Sequence, residues 1–151
     1  MGGVVTRGVV SVAVVAIQGL ALVSCSQAGS APEPARVVVQ HLLVSFGGKV
    51  PGKIVKRTQA EAKTLARDLL ARARTGEDFD ALVKQYDDSQ APGRYTIVNR
   101  GGQPAAGEYG RDQLVPGFGD VSFGLQVGEI GLSGYDAVRS PFGYHLIRRI
   151  E

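Results

Sequence analysis

The 151-residue chain reads as an α+β domain behind an apolar leader with a single charge. Two strand-like segments, the apolar Val37–Val44 and the mixed Gly143–Ile150, stand at either end of the charged part of the chain. Between them lie segments whose apolar residues recur at three- and four-residue spacing, the period of a helix face. The resulting order is strand, two helices, strand, helix, strand, strand. That order lacks the regular strand–helix alternation of a parallel sheet and points to an α+β arrangement.

The leader comes first. Met1–Ser24 holds one base, Arg7, and no acid. Val9–Val23 is an apolar run of about 15 residues, shorter than the roughly 20 a spanning helix needs, and suits a secretory signal. It ends in Leu22-Val23-Ser24-Cys25, and Cys25 is the only cysteine of the chain. Residues 25–35 (CSQAGSAPEPA) are small, polar and Pro-containing, the composition of a flexible tether. Residues 36–151 are left for the domain.

Val37–Val44 (VVVQHLLV) is apolar on both alternating faces except at Gln40 and His41, as expected of a central strand. Gly47–Arg57 follows as a glycine- and lysine-containing loop. Thr58-Gln59-Ala60-Glu61 has the form of a capping box, in which Thr58 and Glu61 satisfy each other's free amides. The helix it opens runs to about Arg74, with Ala62, Leu65, Ala66, Leu69, Leu70 and Ala73 on one face. Gly76 ends it. Asp78 caps a short second helix that turns Phe79, Leu82, Val83 and Tyr86 inward. Asp87–Gly93 is a turn region and Arg94–Asn99 a second strand. Arg100–Asp112 is rich in glycine and polar residues and is expected as irregular loop. Pro116 suits the first turn of a helix over Val115–Phe123. Glu129–Leu132 and Gly143–Ile150 supply the last two strands.

Composition excludes several classes. Seventeen Lys and Arg against 14 Asp and Glu leave a net charge of +3, too small an excess for a nucleic-acid-wrapping surface. One Cys excludes an intrachain disulfide and a Cys-cluster metal site, and two His are too few for a three-His centre. No cofactor or metal is expected.

Four blocks in order resemble the parvulin-type peptidyl-prolyl cis–trans isomerases. They are Gln40-His41-Leu42-Leu43-Val44; Gly76-Glu77-Asp78-Phe79 through Tyr86-Asp87-Asp88-Ser89; Gln113-Leu114-Val115-Pro116-Gly117-Phe118 leading to Val127-Gly128-Glu129; and Ser140-Pro141-Phe142-Gly143-Tyr144-His145-Leu146-Ile147. The resemblance implies a four-stranded antiparallel sheet surrounded by about four helices. It also implies acceleration of X–Pro isomerisation in proline-containing, unfolded or exported polypeptides. Leu114, Phe118 and Phe142 are then the proline-ring pocket, and His41 and His145 are paired histidines that set the site's hydrogen bonding. Asp88 or Ser89 takes the position where the family carries Cys or Asp: direct counting from Phe79 gives Ser89, and a one-residue shift gives Asp88.

The leader's end likewise resembles the bacterial lipobox, which implies a lipid on Cys25 and an envelope location. Ser26 after the Cys points to the periplasmic face of the outer membrane. Two departures stand against the isomerase family. Its Gly-Gly-Asp-Leu-Gly run is replaced within Arg94–Gly110, and neither Cys nor Asp fills the directly counted position. These motivate an alternative, a binding module or chaperone for unfolded clients with weak catalysis. Lys49, Lys53, Lys56 and Arg57 have no phosphate-clamp spacing and are expected as a solvated basic loop.

Overall fold

β1 (Arg36–Val44) lies at the middle of a five-stranded sheet, as its two apolar faces demand. In the computed structural model, which describes residues 1–3 and 32–151, it is followed by α1 (Gln59–Arg74), α2 (Phe79–Tyr86) and β2 (Arg94–Val98). Then come β3 (Tyr109–Gly110), a 3₁₀ turn (Arg111–Gln113), α3 (Pro116–Gly124), β4 (Ile130–Ser133) and β5 (Tyr144–Arg149). The apolar run of the leader, Cys25 and the tether up to residue 31 lie outside the described residues. The strand order is β3-β2-β1-β5-β4. β1 is antiparallel to both β2 and β5, and β4 is antiparallel to β5.

The α+β class holds, with two differences in detail. The sheet has a fifth strand, β3, which pairs parallel to β2 over two residues. Among the described residues, three α-helices and one 3₁₀ turn stand where about four helices were expected. Both differences fall in the segment expected as irregular loop. Turns closed by Gly102 N–H to Asn99 O and by Glu108 N–H to Ala105 O bring that segment back beside β2. A two-residue strand is too short to leave any alternation in the sequence.

The alternation of β1 sorts its side chains onto two faces. Leu42 and Val44, with Tyr144 and Leu146 of β5, pack against Ala62, Ala66, Leu69 and Ala73 of α1 and Phe79, Leu82 and Val83 of α2. Val37 and Val39, with Ile97 and Ile147, pack against Phe118 and Phe123 of α3 and Leu125 beyond it. The sheet is therefore covered on both sides. Gln40 shows how a polar residue is held on the first face: its Nε2 donates to Asp80 Oδ1 at 2.7 Å and to Pro92 O at 3.1 Å.

The helix ends follow from local chemistry. Thr58 and Glu61 close the expected capping box, Glu61 N donating to Thr58 Oγ1 and Thr58 N to Glu61 Oε2. Asp78 accepts from Asp80 N at 3.0 Å to start α2, and Pro116 opens α3.

Leu69 is fully buried between α1 and the sheet. Leu69→Ala is expected to lower the unfolding free energy by about 3 kcal/mol, through lost transfer energy and the cavity left behind. Thr58→Ala should cost about 1 kcal/mol, since only one cap is lost. Urea titrations followed by circular dichroism measure both, and equal losses for the two variants would contradict this account.

Candidate active site

The face of the sheet that packs on α3 carries two imidazoles. The register pairs His41 with Ile147 and Leu43 with His145, so the two histidines are diagonal neighbours on one face. Their rings stack with centroids 5.0 Å apart, and His145 Nδ1 lies 2.9 Å from His41 Nε2. Phe118 meets His41 edge to face at 5.1 Å, and Tyr95 does so at 5.9 Å.

Two glycines let the backbone approach closely enough to build this. His41 N–H donates to Gly93 O at 2.8 Å. Gly93 has φ +64°, and a Cβ there would lie 2.2 Å from His41 O. Gly143 has φ +143°, and a Cβ there would lie 2.5 Å from Val44 O. No side chain fits at either position.

His41 is 5% and His145 4% exposed. Burial pushes the His41 pKa down from 6.5 to about 4. Burial, and then the His41 charge, push His145 down to about 3, with the Asp87 charge opposing. Both rings are therefore neutral at pH 7, and each has one N–H. One N–H fills the gap between the rings. Whichever ring donates it, the outer nitrogens, His41 Nδ1 and His145 Nε2, are one donor and one acceptor. Neither has a partner among the described residues.

A cavity of about 320 Å³ opens on this pair. It brings together six of the residues singled out in the sequence: His41, Ser89, Leu114, Phe118, Phe142 and His145. Phe118 is buried and Phe142 is 38% exposed, so the first lies deep and the second toward solvent. Leu43, Val50, Pro51, Tyr95, Gln113 and Val115 complete the lining and were not singled out. Tyr95 was reachable in part, because strand alternation puts it on one face with the core residue Ile97. Its place beside His41 depends on the β1–β2 register, which the sequence does not display. From Arg94–Gly110, the segment that departs from the family pattern, only Tyr95 lines the cavity.

The turn after α2 separates the two alternatives for the polar position. Ser89 lines the cavity and Asp88 does not. Asp88 Oδ2 accepts from Ser45 N at 2.8 Å and from Arg57 Nη1. Arg57 Nη1 also donates to Ser45 O at 3.0 Å, and Ser45 Oγ donates to Phe142 O at 2.6 Å. Asp88 is thus part of a clasp joining β1, the first loop and the Phe142 turn. The basic loop is solvated in part, since Lys53 is exposed, and it is also bonded to the domain. Lys49 Nζ lies 5.1 Å from the centroid of the Tyr135 ring, Lys53 Nζ donates to Ser89 O, and Arg57 holds Asp88. Lys56 is exposed.

Sequence reasoning also missed Arg111. Its buried guanidinium donates to Glu33 at 2.6 Å and to Asp120 at 2.8 Å, and it lies over the Phe123 ring. Glu33 belongs to the expected tether, so the end of that segment is bonded to the domain.

Comparison with known proteins places this geometry in a family. Residues 21–151 match the PPIC-type PPIASE domain. The chain is 35% identical over 126 residues to the chaperone SurA of Chromohalobacter salexigens, covering 79% of this chain and 24% of that protein. It is 36% identical over 83 residues to foldase protein PrsA 4 of Bacillus cereus, covering 55% of this chain and 26% of that protein. The structure of peptidyl-prolyl isomerase ESS1 from Candida albicans superposes with a TM-score of 0.56 at 22% identity, covering 78% of this chain and 63% of that one. With this match over most of its length, the chain belongs to the PPIC-type PPIASE domain family. It spans about a quarter of the length of the SurA and PrsA relatives.

The neutral histidine pair makes stability pH-dependent. An unfolded His titrates near 6.5, and the folded pair titrates at about 4 and 3. Between these values the unfolded state binds more protons, so stability rises with pH. The contribution is complete above about 6.5 and is lost as the pH falls toward 4. Urea midpoints measured from pH 7 to 4 should fall steadily, with a shallower slope in His145→Gln. Equal slopes in the two proteins would contradict the pairing.

Proposed function

We propose that this chain accelerates X–Pro isomerisation in exported, unfolded polypeptides, from a lipid anchor on Cys25 at the cell envelope, on the periplasmic face of the outer membrane. The observation that carries the activity is the cavity floored by a neutral histidine pair and walled by Leu114, Phe118 and Phe142. The X–Pro amide is conjugated, and rotation about it crosses a barrier of about 18–20 kcal/mol. Twisting removes the conjugation, so charge leaves the carbonyl oxygen and a lone pair returns to the nitrogen. A catalyst has only to bind that twisted form more tightly than the planar ones. An apolar, largely dry pocket for the proline ring supports this, because it offers poor solvation to the more polar planar amide. The histidine pair supports the pocket without introducing a charge.

The names of the SurA and PrsA relatives, a chaperone and a foldase, support unfolded polypeptides as clients. The leader, the position of Cys25 and the tether composition support the lipid anchor. A catalytically weak binding module loses much of its motive, since the rebuilt segment contributes only Tyr95 to the cavity.

Two measurements test this. The purified chain should accelerate cis–trans relaxation of a short X–Pro peptide, and Phe118→Ala should lose up to about a hundredfold in kcat/KM, equivalent to about 2.7 kcal/mol. A folded Phe118→Ala variant as active as its parent would remove the pocket assignment. Cys25→Ser should abolish incorporation of radiolabelled fatty acid in bacteria and release the protein from membranes. Unchanged labelling would rule out the anchor.

A further inference from the structure

The turn after α2 places two adjacent carboxylates in different circumstances. Asp88 is neutralised by Arg57 and occupied by Ser45 N–H. Asp87 has no Lys or Arg partner among the described residues. Its Oδ1 accepts from the backbone N–H of Leu43, a residue that lines the cavity, at 2.8 Å. Both of its oxygens lie 2.8 Å from Ser89 Oγ. A carboxylate can only accept, so Ser89 donates its one hydroxyl hydrogen to Asp87. The groups around this pair are Leu43 N–H, His145, the Tyr95 phenol and the Lys53 ammonium, which donates to Ser89 O, and the Asp87 charge acts on both rings.

We propose that Asp87 is a positioning residue that acts through Ser89: by taking the hydroxyl hydrogen it leaves Ser89 Oγ as an electron-rich group with only lone pairs to offer a bound amide. This rests on the isomerase reading and says which groups supply the polar part of the site. In the planar amide, conjugation places negative charge on the carbonyl oxygen, and twisting withdraws it. An acceptor-only, partly anionic neighbour therefore raises the planar form relative to the twisted one. No bond to carbon forms and no proton leaves the Asp87–Ser89 pair. The pair then does from positions 87 and 89 what a single ionised side chain at 89 could do directly. This gives a physical account of why a Ser is workable where the family pattern has Cys or Asp.

The experiment is a mutant cycle on the purified chain, read as kcat and KM for X–Pro peptide isomerisation, with thermal melts to confirm folding. Asp87→Asn keeps an oxygen for Leu43 N–H and removes the charge. It should lower kcat about tenfold with little change in KM, the size of one hydrogen bond to a charged group. Ser89→Ala leaves the Asp87–Leu43 bond intact and should lose a similar factor. The Asp87→Asn, Ser89→Ala double variant should lose no more than either alone, because the two act as one unit. Asp87→Asn combined with Ser89→Asp puts the charge directly on position 89 and should recover kcat to within about threefold of the parent. Additive losses in the double variant, no recovery with Ser89→Asp, or a fully active Asp87→Asn protein would each overturn the proposal. If Asp87→Asn does not fold, an unimpaired Ser89→Ala protein overturns it equally. An inactive parent would instead overturn the isomerase reading, and this proposal with it.

Discussion

Two neutral imidazoles buried side by side are the constraint on which the active face is built. An isolated polar ring on an apolar sheet face carries a large desolvation cost unless it is hydrogen-bonded. His41 and His145 offset part of that cost for each other across 2.9 Å, and burial keeps both uncharged. The consequence reaches outward. Because the pair needs one donor and one acceptor between the rings, it must present one of each outside. Phe118 and Tyr95 then pack against ring faces and edges with no charge to solvate.

The backbone around the pair serves that contact. β1 and β5 must run at a register that sets the rings diagonally, and β2 must approach His41 closely enough for Gly93 to bond it. Both demands end at glycines, where a side chain would collide with the carbonyl of β1. At the mouth, the Arg57–Asp88–Ser45 clasp ties the first loop to the end of β1 and to the Phe142 turn. Charges that looked free in the sequence are thus spent on holding the walls of an apolar cavity. Asp88 is taken up in that clasp, while Ser89 lines the cavity and bonds to Asp87.

Legibility of the sequence followed the range of the interactions. The Thr58–Glu61 capping box, the Asp78 cap, the Pro116 start and the apolar face of α1 depend on residues within a few positions of one another, and all are present. β1 was legible as central because both of its faces are apolar. β3 was not, because two residues held by two turns leave no period. Arg111 was equally silent. Its partner Glu33 lies 78 residues back along the chain and Asp120 nine residues ahead, and nothing local marks an arginine as buried.

For the site the division is sharper. The resemblance named His41, His145, Leu114, Phe118, Phe142 and the Asp88 or Ser89 position, and it carried the family. Strand, helix and cap chemistry determined the α+β class and the element order, because those signals are local. Only the tertiary structure decided that Ser89 lines the cavity while Asp88 holds Arg57, that Tyr95 joins the pocket, and that Asp87 meets Ser89. Each of those outcomes depends on cross-strand register or on which side of a turn a side chain leaves the backbone. Residue order does not encode either one by itself; the packing of the two sheet faces does.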